Sequence, residues 1–143
     1  MPTKVVTKWV EGMTFDTEVN GHHFFMDADP EWGGLNKGPR PKPLLLSALS
    51  GCSGMDVVSI LDKMKINGYQ FRMEVEADST DEHPVIYKDI KLKFFFEGEN
   101  LPQDKVMKAV RLSTEQYCGV NAMLKKSSDV TAIVYINGEE VKQ

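Results

Sequence analysis

The sequence predicts an α+β fold in the order β-β-β-α-β-β-α-α-β. Three observations carry it. Period-two alternation marks residues 4–27 and recurs from Tyr69 to Glu97 and from Val130 to Ile136, an apolar segment from Leu44 to Ile66 lies between, and a helical stripe falls near residues 102–117. Long antiparallel strands with helices inserted between them define the class. At 143 residues the chain has the size of one ordinary domain. We expect a single domain over residues 1–143, with an N-terminal meander (1–28), a loop (29–43), a central helix (44–66) and a remainder (69–143).

Each element has its local reason. Lys4 to Val10 alternates, with Val6 and Trp9 among polar partners, and Thr14 to Val19 places Phe15, Thr17 and Val19 on one face. Gly12 and Met13 separate these runs as a hairpin would. Asn20-Gly21 is a strong two-residue turn signal before a third strand, His22 to Asp27. Residues 29–43 hold Pro30, Gly33, Gly34, Gly38, Pro39, Pro41 and Pro43 and read as a long loop, a type often functional inside a compact domain. Pro43 fits the first turn of the following helix, where its missing N–H is not needed, and Asn67-Gly68 supplies a stop. Leu44 to Leu49 is apolar nearly all round, whereas from Val57 onward a stripe of Val57, Val58, Leu61 and Met64 opposes Asp56, Ser59 and Lys63. Tyr69 to Ala77 and Val85 to Glu97 alternate as strands, the second with Ile90, Leu92, Phe94 and Phe96 on one face. Helices are expected from Pro102 to Tyr117 and from Val120 to Lys126, then a last strand, Val130 to Ile136, closed by Asn137-Gly138.

Composition excludes several function classes. Hydrophobic residues make up 41% and charged residues 27%, an ordinary globular balance. A net charge of −4 argues against a nucleic-acid partner, which needs a clustered basic footprint, and against an anionic membrane surface. No uninterrupted apolar run approaches the ~18 residues of a membrane span. The start of the chain shows no basic segment followed by an apolar one, so no secretory signal is expected. Two cysteines make no disulfide scaffold. A reducing cytoplasm is the expected setting, where the pair is either two inert thiols, a redox couple, or metal ligands.

Cys52 stands out among the candidates. It projects to the side of Asp56, Ser59 and Lys63, between Ser50, Gly51, Ser53 and Gly54. Two glycines inside a helix cost about 1 kcal/mol each relative to Ala, a cost that implies close approach by another backbone or a ligand. A small thiol in a tight packing contact is the plainer alternative. Cys118 falls at a helix–helix junction, where the start of the next helix favours thiolate; a buried thiol is again the alternative. His22, His23 and His83 match no zinc spacing, and no Gly-rich phosphate loop or Gly-x-Ser-x-Gly elbow occurs. Neither a metal nor a cofactor is therefore expected. Asp27, Asp29 and Glu31 cluster in what reads as a solvated loop. The all-round apolar Leu44–Leu49 stretch also exceeds what one layer of sheet can cover, which predicts a homodimer.

Two segments carry a family resemblance. Residues Gly38-Pro39-Arg40-Pro41-Lys42-Pro43-Leu44-Leu45-Leu46-Ser47-Ala48-Leu49-Ser50-Gly51-Cys52-Ser53-Gly54-Met55-Asp56-Val57-Val58 resemble the central helix of the OsmC/Ohr family of osmotically inducible and organic hydroperoxide resistance proteins. Tyr117-Cys118-Gly119-Val120-Asn121-Ala122-Met123-Leu124 is similar to that family's second-cysteine segment. The resemblance implies an OsmC-like fold, with a long central helix packed on antiparallel sheet in an intertwined homodimer. It implies Cys52 as peroxidatic nucleophile, Cys118 as resolver, an organic hydroperoxide as substrate, an external thiol as reductant, and a role in oxidative stress defence. Peroxidatic members add an N-terminal arginine and a glutamate just before the helix. Here those pre-helix positions are Lys42 and Pro43, and Arg40 is the nearest arginine, so Arg40 and Lys42 are the supporting candidates. The alternative from another class is a dimeric protein that binds a small apolar ligand and retains vestigial cysteines.

Overall fold

Residues 6–26 fold as the alternation requires: β1 (Val6–Glu11), β2 (Thr14–Val19) and β3 (His22–Met26) form an antiparallel three-stranded sheet in that order. The computed structural model describes residues 2–142. Asn20 and Gly21 both have positive φ, 51° and 80°, as a two-residue hairpin turn demands. β1 starts and ends later than the alternation predicts, and β3 stops at Met26 because Asp27 turns inward.

Asp27 corrects the expectation of a solvated acidic cluster. It is 3% exposed and anchors the loop that follows. Thr14 Oγ1 donates to its Oδ2 (2.7 Å), and the backbone N–H groups of Ala28, Leu35 and Lys37 donate to the two carboxylate oxygens. The Thr14 hydroxyl, helped by these N–H groups against the cost of burial, holds the Asp27 carboxyl well below its ordinary 3.8, at about 2. The loop contains one 3-10 turn, Pro30–Trp32. Gly34 and Gly38 are required by close approach: a Cβ there would lie 1.9 Å from the Ala28 carbonyl oxygen or 2.0 Å from that of Phe25.

The chain divides into two compact units, one up to Leu45 and the other from Leu46 onward. Helix α1 (Pro43–Lys63) begins in the first and continues into the second. It ends before the expected Ile66, because Lys65 itself adopts a left-handed φ of 61° and the Ile66 N–H reaches back to the Leu61 carbonyl. That is the closing bond of a Schellman-type cap.

In the second unit a four-stranded sheet runs β4 (Gln70–Ser79), β5 (Tyr87–Glu97), β6 (Asp129–Ile136), β7 (Glu139–Val141). The α+β class holds, but the sheet is mixed: β4–β5 and β6–β7 are antiparallel, while β5–β6 is parallel. Parallel neighbours need a long crossover, supplied here by α2 (Gln103–Leu112), a π-helical turn (Ser113–Tyr117) and α3 (Gly119–Leu124). The expected unbroken helix to Tyr117 is thus interrupted by the wider turn. Asn137 and Gly138, expected to end the last strand, instead open a hairpin into β7, both with positive φ.

The core lies between α1, the inner face of β5 and α2. Leu49, Val57, Leu61, Ile90, Leu92, Phe94, Phe96, Val106 and Val110 are all at most 1% exposed. Phe71 stacks on Phe96 with ring centroids 4.5 Å apart. Gly54 seats α1 on β4, where a Cβ would stand 3.0 Å from the Met73 sulfur. At Gly51 a Cβ would meet nothing within 4 Å, so the expected close approach exists at one helix glycine only.

By length and composition α1 is long and apolar enough to cross a membrane. Counting uninterrupted runs missed this, since Ser47, Ser50, Gly51 and Gly54 dilute the helix without charging it. Its side chains Leu49, Val57 and Leu61 are wholly buried in the core, while Met55 is 76% and Val58 45% exposed.

Candidate dithiol site

Cys52 lies in the middle of α1, half-buried, and Cys118 lies 4% exposed at the start of α3. The π-helical turn brings the second thiol into place. It adds one residue to the helical register, closed by the Cys118 N–H on the Ser113 carbonyl at 2.8 Å, a device common at functional sites. Asp56, one helical turn beyond Cys52, completes the group: the two sulfurs and one Asp56 carboxylate oxygen all lie within 4.8 Å of one another.

Hydroxyls hold two of the three, Cys118 and Asp56. Ser53 Oγ donates to Cys118 Sγ at 3.3 Å, and the Asn121 N–H donates to the same sulfur at 3.4 Å. Ser113 Oγ lies 3.2 Å from Asp56 Oδ2 and 3.2 Å from the Ser53 carbonyl. Ser53 and Ser113 are wholly buried, so these bonds form away from water and hold their partners firmly.

Burial, reinforced by contact with Cys52, pushes the Cys118 thiol up in pKa despite the Ser53 and Asn121 donors. The expectation that a helix start makes Cys118 a thiolate is therefore reversed. Desolvation outweighs the few backbone dipoles of a six-residue helix.

The structure brings Cys52 and Cys118 together and treats the supporting candidates differently. Arg40 lies in the N-terminal unit, its guanidinium engaged there with Asp29 Oδ1 (2.8 Å), Asn36 Oδ1 (2.9 Å) and the Gly38 carbonyl (3.0 Å). Lys42 sits in the turn that opens α1, its carbonyl accepting from the Leu45 N–H. Sequence reasoning missed Asp56, Ser53 and Ser113 as site residues. The signal for Asp56 was present in its i+4 spacing from Cys52. Ser113 continues the register of α2, its N–H on the Ala109 carbonyl, so its i+7 spacing from Val106 on the buried stripe was the signal for it.

A cavity of about 600 Å³ opens beside Asp56, lined by Ser59, Ile60, Lys63, Met64, Lys108, Leu112 and Tyr117. Its lining mixes Ile60, Met64 and Leu112 with Ser59 and two lysines.

An α+β unit whose central helix contributes a half-buried thiol and whose crossover contributes a buried one defines a class of dithiol proteins. Residues 34–132 match the model of the OsmC-like protein family, and the chain belongs to that family. It is 38% identical over 125 residues to Protein YhfA of Escherichia coli K12, covering 87% of this chain and 90% of that one. A hypothetical protein from Aquifex aeolicus VF5 superimposes with a TM-score of 0.83 at 28% identity, covering 96% and 97% of the two chains. The organic hydroperoxide resistance protein OhrB of Bacillus subtilis shares the fold, with a TM-score of 0.64 at 14% identity over 94% and 98%.

Proposed function

We propose that the protein is a thiol peroxidase that reduces organic hydroperoxides, with Cys52 as nucleophile and Cys118 as resolver. The observation that carries this reading is the pair of sulfurs and a carboxylate oxygen within 4.8 Å. The Cys52 thiolate attacks the distal peroxide oxygen, the O–O bond breaks, and the alkoxide leaves as an alcohol once protonated. Cys52 is then a sulfenic acid. Cys118 attacks its sulfur, water departs with the Cys118 proton, and a disulfide forms. The bond brings the sulfurs from within 4.8 Å to ~2.05 Å. An external thiol restores both cysteines, which suits a reducing compartment such as the cytoplasm and a role in oxidative stress defence.

Asp56 supplies the acid–base function that the pre-helix segment lacks. Ionised, it accepts the Cys52 proton directly or through one water; protonated, it returns that proton to the leaving alkoxide. The adjoining cavity, with Ile60, Met64 and Leu112 in its lining, suits an organic substrate over hydrogen peroxide.

The working unit of this reading is a homodimer. Met55 and Val58 on α1, and Trp9 (66%) and Phe24 (39%) on the meander, leave apolar surface in the single chain of the kind that second copies cover.

The test is stoichiometric. One equivalent of cumene hydroperoxide should consume two thiols per chain and leave a Cys52–Cys118 disulfide visible by peptide mass spectrometry. Peroxide that leaves both thiols intact would overturn the reading in favour of an apolar-ligand-binding protein.

A further inference from the structure

We propose that the reduced site also binds zinc, with Cys52 Sγ, Cys118 Sγ and one Asp56 carboxylate oxygen as three ligands and water as the fourth. Three protein ligands and an open position form the usual coordination of a reactive zinc site. Two thiolates and a carboxylate make a soft, anionic donor set that suits zinc and excludes magnesium and calcium, which take oxygen alone. A tetrahedron with metal–sulfur bonds of ~2.3 Å separates its sulfurs by about 3.8 Å. The donors here already lie within 4.8 Å of one another on packed helices, so torsional adjustment of the side chains closes the site.

The surroundings match what a metal site needs beyond its ligands. Ser113 Oγ holds Asp56 through Oδ2, and Ser53 Oγ and the Asn121 N–H point at the Cys118 sulfur. Such outer hydrogen bonds orient ligands and stabilise bound thiolate. The cavity beside Asp56 gives an ion and its water a route from solvent. Histidines play no part, so the site leaves no zinc spacing along the chain.

Binding forms two Zn–S bonds as each thiol gives its proton to the buffer, so affinity rises with pH. A disulfide between the same sulfurs removes both thiolates. Metal and disulfide are therefore mutually exclusive, and oxidation of the pair releases the ion. This inference needs only the three side chains and does not rest on peroxidase activity.

The experiment titrates metal-free, reduced protein with zinc chloride against a chromophoric chelator. We expect one zinc per chain, close to two protons released by calorimetry in buffers of different ionisation enthalpy, and no stoichiometric binding after diamide oxidation. Cobalt should give a thiolate-to-metal charge-transfer band that is lost in Cys52→Ser and in Cys118→Ser. Asp56→Asn, nearly isosteric and able to keep its bond to Ser113, should weaken zinc at least about tenfold; circular dichroism checks that it folds. Zinc binding no tighter than in the double Cys52→Ser/Cys118→Ser variant, or unchanged by Asp56→Asn, would overturn the proposal. Peroxide consumption is measured on the metal-free protein, so either reading can fail while the other stands.

Discussion

Cys52, Cys118 and Asp56 divide the chemistry by environment. Cys52 is half-buried, whereas Cys118 is 4% exposed and held as a thiol by desolvation. Replacing Cys52 by Ser should abolish the first turnover. Replacing Cys118 by Ser should leave one turnover and a Cys52 sulfenate that dimedone traps, because attack precedes resolution. Loss of the first turnover in both variants would contradict these roles. Since burial keeps the Cys118 pKa above its ordinary value, its reactive thiolate is scarce at neutrality and increases as pH rises. Disulfide closure, followed by stopped flow after a single peroxide pulse, should therefore accelerate about tenfold per pH unit through neutrality. A closure rate flat with pH would mean that Cys118 attacks from an already ionised state. Asp56→Asn should slow peroxide consumption by roughly 100-fold, the scale of a removed general acid–base, with the thiols still titratable by Ellman's reagent.

At the scale of elements, the loop after β3 depends on one carboxylate. Asp27 accepts from Thr14 and from three backbone N–H groups, so its ionised form ties β2 to the loop. Its folded pKa lies below its unfolded one. The stabilisation is therefore complete above about 3.8 and is lost as pH falls toward about 2. Asp27→Asn should raise amide hydrogen exchange at Ala28, Leu35 and Lys37 at neutral pH and remove this acid dependence. Unchanged protection at those three amides would show that the loop is held by its glycine contacts alone. The π-helical turn matters in the same way for the dithiol. Without its extra residue, Cys118 would rotate away from Ser53, while Ser113 keeps the register of α2.

For the whole molecule, apolar surface on α1 and on the meander sets the expected assembly. Light scattering at micromolar concentration should give a mass near two chains, and a mass near one would remove the homodimer from the reading. Phe94, fully buried between α1 and the sheet, should cost about 3–5 kcal/mol when replaced by Ala, measured by urea unfolding of the reduced protein.

What the sequence determined by itself is local. Alternation, helical stripes, Asn-Gly pairs and proline positions depend on neighbours a few residues apart, so the element order and the first six strands and helices were legible from the chain. The two cysteine motifs, read as a resemblance, named the family before any geometry was known. Strand β7 was missed because three residues are too few to show a period. The parallel pairing of β5 with β6, the π-helical turn and the burial of Asp27 were decided by tertiary structure. Each depends on packing that joins distant parts of the chain or overrides local preference. The same holds for the site. Cys52 and Asp56 share a helix face by spacing alone, but their meeting with Cys118, Ser53 and Ser113 exists only because α1 and the crossover helices pack on one another. That packing also desolvates Cys118, so its ionisation follows from the fold and not from its place at a helix start.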